Sequence, residues 1–414
     1  MLHVKHAFRL GGGATLIVKP APPSRENVTG YDDGMAMPRR RAAGLGGKSC
    51  EMSWSPQQDA ALGAVAAWLK QGAPQVFRLF GYAGTGKTTL AKQLAEDIDG
   101  EVAFAAYTGK AALVLRSKGC KDARTIHSLI YKPRETETEE PSFVLNEESA
   151  VAKASLVIID ECSMVDANLG RDLLSFGKPV LVLGDPAQLP PVKGGGFFTE
   201  AKPDVMLTEV HRQAADNPII KMSMLVREGG RLSLGAYGES RVIERRDIDA
   251  GAVTGADQVL VGLNRTRKSY NRRMRELFGY EGDFPEPGDK LVCLRNDKTK
   301  GLLNGGIWIV KTTGTTRKKK LALNVVPEDD ATRKPLRIGV LPEFFSGAEE
   351  GLTPQQRRDS DEFDYGYALT VHKAQGSQWS SVVLFDESGA FREHRHRWLY
   401  TGITRAAERL TVVV

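Results

Sequence analysis

Three groups of side chains in this sequence have the types and spacing for phosphoryl chemistry. The first is Gly81-Tyr82-Ala83-Gly84-Thr85-Gly86-Lys87-Thr88, which fits the phosphate-loop pattern G-x-x-x-x-G-K-[ST]. Its glycines let the backbone curl, so that N–H groups and a helix N-terminus surround an anionic phosphate. Gly81, Ala83, Gly84, Thr85, Gly86, Lys87, Thr88 and Thr89 are the expected nucleotide contacts. In this reading the Lys87 ammonium reaches the β- and γ-phosphates of ATP and the Thr88 hydroxyl ligates Mg²⁺.

The second group is Asp160 and Glu161, at the end of the apolar run Leu156–Ile159. A carboxylate at a strand's C-terminal end points into the cleft beside the phosphate loop, which suits Asp160 to Mg²⁺. Glu161 then orients and partly deprotonates the attacking water. The apolar run Val180–Leu183 leads similarly into Gly184-Asp185-Pro186-Ala187-Gln188-Leu189, where Gln188 can bond the γ-phosphate or the lytic water. The third group is a pair of arginines, Arg212 and Arg405. A guanidinium on the γ-oxygens contributes on the order of 10³–10⁵ in rate. If a second domain supplies these arginines, hydrolysis requires closure of two domains.

The elements that position these groups follow from the apolar pattern. Val76–Phe80 predicts a strand before the loop, and Leu90, Leu94 and Ile98 predict an amphipathic helix over Thr89–Ile98. Short apolar runs at Val102–Ala106, Leu156–Ile159 and Val180–Leu183 predict buried parallel strands, hence a doubly wound α/β domain over 53–209. Tyr131–Asn146 interrupts it with Pro133, Pro141 and an acidic run, as a surface loop or a small hairpin. A second α/β domain is expected over 210–284 and 350–414, with a strand at Val259–Leu263, a basic helix at Arg267–Phe278 and the pattern resuming near Glu362. Between its halves, 285–349 carries short strands separated by Gly- or charge-rich turns, the pattern of a small β-barrel.

Composition places limits on partners. The chain has 414 residues, 41% hydrophobic and 26% charged, with formal net charge +6. That is ordinary for a globular protein, and the basic clusters Arg265–Arg275, Arg317–Lys320 and Arg392–Arg397 suit a polyanion or a solvated surface. Cys50, Cys120, Cys162 and Cys293 form no C-x-x-C pair, which argues for a reducing, cytoplasmic setting without structural zinc. No apolar run approaches the ~20 residues needed to span a bilayer, so no membrane partner is expected. Residues 1–52, with Gly11-Gly12-Gly13 and Pro38-Arg39-Arg40-Arg41, read as a disordered extension, and Met52 is an alternative start.

Taken together, the motifs resemble superfamily 1 helicases of the 5′→3′ branch that includes RecD-like and phage Dda-like enzymes. The resemblance runs from about Ser53 to the C-terminus. It implies two RecA-like parallel-sheet motor domains with an inserted SH3-like β-barrel, and an ATP-dependent helicase moving 5′→3′ on single-stranded DNA. Ser55-Pro56-Gln57-Gln58 looks like the Q motif, so Gln58 would read the adenine edge; Arg212 and Arg405 fall at motifs IV and VI. Ala106–Ala112, Arg124–Ser128 and Tyr365–Gly376 look like motifs Ia, Ib and V. These imply DNA contacts at Tyr107, Thr108, Thr125, His127, Thr370 and His372, with Gln378 facing ATP. Thr and His offer hydrogen bonds to phosphate and an aromatic offers a stacking face. Tyr107 departs from the family, many of whose members have Pro there. Tyr131–Asn146 takes the place of the duplex-splitting wedge hairpin, and is short and acidic. The implied partners are single-stranded DNA, single-strand/duplex junctions, and replisome or recombination proteins, with the chain acting as a monomer in a bacterial or phage-infected cell. An RNA-directed helicase and a regulatory subunit with a vestigial ATPase are the competing readings.

Overall fold

Strands buried on both faces organise the protein. In Leu156–Asp160, Leu156 and Ile158 enter one apolar cluster while Val157 and Ile159 enter another. In Val180–Gly184, Leu181 and Leu183 alternate with Val180 and Val182 in the same way. Period-two alternation with no polar face requires cover on both sides, and in this open sheet a doubly wound arrangement supplies it. The computed structural model describes residues 54–133, 143–191, 194–210, 216–297, 299–317, 319–330 and 332–414. The expected extension 1–52, Arg212 and the acidic run Glu135–Glu140 lie outside the described residues.

The first sheet comprises β1 (Val76–Gly81), β2 (Val102–Ala106), β3 (Arg124–Thr125), β4 (Leu156–Asp160), β5 (Val180–Gly184) and β6 (Val205–Leu207). They lie in the order β3-β2-β4-β5-β1-β6, every pair parallel. Four helices matter for the site: α1 (Pro56–Gln71), α2 (Lys87–Glu96), α3 (Gly109–Ser117) and α4 (Ile126–Ile130). Ser55 starts α1 with a capping box, its hydroxyl accepting the Gln58 N–H while Gln58 Oε1 accepts the Ser55 N–H. Tyr131–Pro133 and Phe143–Leu145 pair antiparallel, so a two-stranded arm leaves the sheet after α4.

After α5 (Pro218–Arg227), β7 (Gly235–Tyr237) and β8 (Ser240–Ile243) form an antiparallel pair, followed by β9 (Gln258–Val261) and α6 (Asn264–Leu277). The chain then builds an antiparallel sheet from β10 (Lys290–Cys293), β11 (Ile307–Arg317), β12 (Lys320–Pro327), β13 (Leu336–Val340) and β14 (Phe363–Tyr365). It returns with β15 (Ala368–Thr370), β16 (Trp379–Phe385), α7 (Arg395–Ile403) and β17 (Ala406–Val413). The second sheet is ordered β15-β9-β16-β17-β8-β7, parallel except at its β8–β7 edge. An isolated bridge between Val340 and Asp361 brings the two ends of the antiparallel sheet together.

Two expectations change. The antiparallel sheet does not end at residue 349, because Phe363–Tyr365 pairs with β10 and the parallel sheet resumes only at Ala368. A three-residue strand is too short for periodicity to reveal it. The cluster Arg265–Arg275 is also not a continuous polyanion face. Arg275 Nε lies 2.9 Å from Oδ1 of the fully buried Asp289, and Arg267 Nη1 lies 2.6 Å from Asp364 Oδ2. These pairs fasten α6 to both ends of the antiparallel unit, and removing one partner of such a pair costs about 3–5 kcal/mol.

Candidate functional site

The phosphate loop follows β1, at the edge where parallel strands present their C-terminal ends. A side chain at Gly81 would meet Thr85 Oγ1 at 2.6 Å and Leu207 Cβ at 2.8 Å, so only glycine fits the entry to the turn. Gly86 caps α2 with φ 79°, a left-handed conformation natural to glycine. No side chain caps this helix and no acid occupies its first turn, which leaves its N–H groups and dipole facing the cleft. Lys87 Nζ donates to the Gly81 and Tyr82 carbonyls at 2.7 and 3.0 Å, arched over the loop. Gln58 is buried and its Nε2 donates to Thr85 O at 3.1 Å, so this glutamine ties α1 to the loop itself.

The carboxylates arrive at the same edge from β4. Thr88 Oγ1 donates to Asp160 Oδ2 at 2.9 Å, and the Glu161 N–H donates to Asp160 Oδ1 at 2.8 Å. Burial, and then the charge of Glu161, hold the Asp160 carboxyl above the usual carboxylate range. Two hard oxygen donors side by side fit a small divalent cation that takes its remaining ligands from phosphates and water. Among the described residues no group of three or more His, Cys, Asp or Glu forms a metal cage. Glu161 has φ 52° and ψ 47°, a left-handed conformation costing on the order of 1–3 kcal/mol for a non-glycine residue. Beyond β5, Gln188 is buried, with Oε1 unpartnered among the described residues.

The second sheet reaches this cleft through α5 and α7. The Arg227 guanidinium stacks on the Tyr82 ring at 3.6 Å, a geometry worth roughly 0.5–2 kcal/mol. Arg405 is buried and donates to Thr401 O, Ser377 O and Thr404 Oγ1, each at 3.1 Å. No described carboxylate lies within ion-pair distance of it, so its charge is held by neutral acceptors. Gln378 is exposed.

A separate groove of about 290 Å³ is lined from four sources, one of them Met164 in the turn after β4. Tyr107, Thr108 and Lys110 come from the β2–α3 turn, His372, Lys373 and Gln375 from the turn after β15, and Asn296, Asn304 and Gly305 from the antiparallel unit. Thr108 also caps α3, accepting the Ala111 N–H at 3.2 Å. Burial lowers the pKa of Lys110, whose ammonium sits 4.7 Å over the Trp379 ring. Burial, followed by the charge of His394, lowers that of His372. Three expected strand contacts lie elsewhere. Thr125 accepts the Ser128 N–H as cap of α4, and Thr370 accepts the Lys373 N–H. His127 packs between Tyr131, tilted at 4.7 Å, and Phe143, edge-to-face at 4.6 Å, at the base of the two-stranded arm.

Residues 53–247 match the profile of the AAA domain, and residues 365–413 match the UvrD-like helicase C-terminal domain. The ATP-dependent RecD2 DNA helicase of Deinococcus radiodurans is 32% identical over 365 residues, covering 80% of this chain and 46% of the relative. The ATP-dependent DNA helicase dda of phage T4 is 37% identical over 164 residues, 36% of this chain and 37% of the relative. The chain is thus similar to the RecD-like and Dda-like superfamily 1 helicases. It spans less than half the length of these two curated relatives. Among solved structures, Pif1 helicase from Candida albicans has a TM-score of 0.52 at 18% identity, covering 87% of this chain and 94% of that one. Bacteroides Pif1 bound to single-stranded DNA also scores 0.52 at 18% identity, with 87% and 92% covered. At that identity the likeness concerns the fold: a helicase fold with a parallel-sheet α/β core.

Within the family frame, Lys87, Thr88 and Asp160 converge at one cleft, while Tyr107, Thr108 and His372 converge at one groove. Arg227, Asp185, Asn296 and Asn304 escaped the sequence reading. Asn304-Gly305 reads as a turn signal, and nothing local marks a turn residue as part of a groove.

Proposed function

We propose that the chain is an ATP-driven motor that moves 5′→3′ along single-stranded DNA and separates duplex ahead of it. The two parallel-sheet units are read as the two motor domains, and the antiparallel unit as the SH3-like insertion between the halves of the second. The observation carrying this reading is the groove lined jointly by the β2–α3 turn of one unit and the turn after β15 of the other. Any change in the cleft between those units changes the grip on whatever lies in the groove.

Thr88 and Asp160 are the residues that would hold Mg²⁺, which when bound neutralises charge on the transferring phosphate. Lys87 and the α2 N–H groups bind the β- and γ-phosphates. Glu161 holds the attacking water and takes its proton. Gln188 bonds the γ-phosphate or that water, and Arg212 and Arg405 stabilise charge on the γ-oxygens. The identities and printed names of the RecD2 and dda relatives support ATP and DNA as ligands.

The test has two arms. ATP turnover should rise on adding single-stranded DNA, more than with RNA of the same sequence, and DNA affinity should fall steeply with salt as counterions are released. Unwinding should occur from a 5′-tailed but not a 3′-tailed duplex. Turnover indifferent to DNA would remove the motor reading, and unwinding from the 3′ tail would reverse the direction.

A further inference from the structure

Tyr400 sits on α7 and is 1% exposed, yet among the described residues its hydroxyl bonds only to the first parallel-sheet unit. It donates to Asp185 Oδ2 at 2.5 Å and accepts the Ala83 N–H of the phosphate loop at 3.1 Å. Its neighbour Thr401 accepts the Leu189 N–H at 3.0 Å and donates to Arg397 O at 2.7 Å. Gln375 closes the grip by donating to Leu189 O at 3.0 Å. Asp185 and Leu189 bracket Gln188, and Arg405 is bonded back to Thr401 O. One helix turn thus holds the phosphate loop, both ends of the Gln188 loop and the base of Arg405.

We propose that Tyr400 is a positioning residue that transmits nucleotide occupancy at the phosphate loop to α7, and through α7 to Arg405. The proposal rests on the nucleotide reading of the cleft. The Ala83 N–H has a neutral hydroxyl as its acceptor, and an anionic phosphate oxygen is a stronger one. Asp185 is 1% exposed; its Oδ1 accepts the Ala187 N–H at 2.9 Å, and its Oδ2 would be stranded without the phenol. When the loop N–H turns to phosphate, Tyr400 therefore stays with Asp185. The Gln188 loop and α7 then move as one body while the phosphate loop changes partner. A phenylalanine would fill the same apolar space and transmit nothing. Burying a hydroxyl there is costly unless it is hydrogen-bonded, and the bond to Asp185 meets that need in either state.

The experiment compares Tyr400→Phe, Asp185→Asn, their double variant and Thr401→Val in the full chain, each checked by thermal melting. Hydrogen exchange is followed with and without ADP. In the unaltered protein, ADP should slow exchange over 83–88 and also alter it over 395–403. In Tyr400→Phe the first response should persist and the second should disappear. DNA-stimulated kcat should fall about 10-fold with KM for ATP within about 3-fold, and the double variant should be no worse than the worse single one. Persistence of the 395–403 response in Tyr400→Phe, or additive losses in the double variant, would overturn the proposal. Should Tyr400→Phe fail to fold, Thr401→Val carries the test, because it cuts the neighbouring bond without emptying the cleft; an intact 395–403 response there counts against the proposal. Absent ATP turnover in the unaltered protein would defeat the motor reading instead, while the ADP exchange response would still judge Tyr400.

Discussion

After β1 the chain curls through glycines into α2, whose N-cap is Gly86 and whose first turn carries no acid. After β9 it turns into α6, another helix whose own N-cap offers no side-chain bond. There Glu387 fills the vacancy: its Oε2 accepts the Gly262 and Leu263 N–H groups at 2.7 and 3.0 Å, and its Oε1 accepts the Thr266 hydroxyl at 2.6 Å. Both helices begin with donors that need an acceptor and a dipole that favours negative charge. In the second unit the protein supplies the anion from its own chain. In the first it leaves the donors facing the cleft, where the proposed function puts a phosphate. The two turns thus differ in whether a protein carboxylate meets the helix N-terminus, and the proposed function makes the open one the ligand site.

The comparison breaks most sharply at Lys87. Lys87→Ala should cut ATP turnover by about 10³-fold or more with the melting temperature retained, measured as phosphate release. Glu161→Gln should cost about 10²–10⁴ in kcat while leaving nucleotide affinity near its original value, a split that separates water activation from binding. Glu387→Ala should do the reverse. Losing charge-assisted bonds at the α6 N-terminus should lower unfolding free energy by about 1.5–3 kcal/mol in denaturant titration, with KM for ATP unchanged. A rise in that KM would show that the second turn is more than a cap.

The smallest effect concerns His372 in the groove. Burial, with the charge of His394, keeps its folded pKa below the ordinary 6.5. The unfolded chain therefore takes up a proton before the folded one does as pH falls. Its contribution to stability is complete above about 6.5 and is lost as pH drops through the lowered folded value. His372→Gln should flatten the melting temperature between about pH 7.5 and 5.5 by less than the equivalent of ~1 kcal/mol. A His372 NMR resonance titrating at or above 6.5 in the free protein would contradict the burial argument.

How much of this was legible varies with how local the chemistry is. The phosphate loop could be read from eight consecutive residues, because its donors are backbone groups and its Lys and Thr are neighbours. The strands Val102–Ala106 and Leu156–Asp160 were legible because burial on both faces leaves a continuous apolar run. Residue type was a weaker guide to the groove. Thr108, Thr125 and Thr370 have the same hydroxyl and all bond a backbone N–H, yet only Thr108 also lines the cavity. The base of the two-stranded arm claims His127, although its sequence context resembles a DNA contact.

By itself, then, the sequence determined that the chain makes doubly wound sheets, where the phosphate loop begins and ends, and which acids close its strands. Each of these follows from interactions within a few residues or from a run buried on two sides. Only the tertiary structure decided that Glu387 caps α6, that Arg227 covers Tyr82, that the antiparallel unit runs on to Tyr365, and that the Tyr400 hydroxyl joins Ala83 to Asp185. Each of those depends on groups far apart in the chain, and their meeting is set by how whole sheets and helices pack.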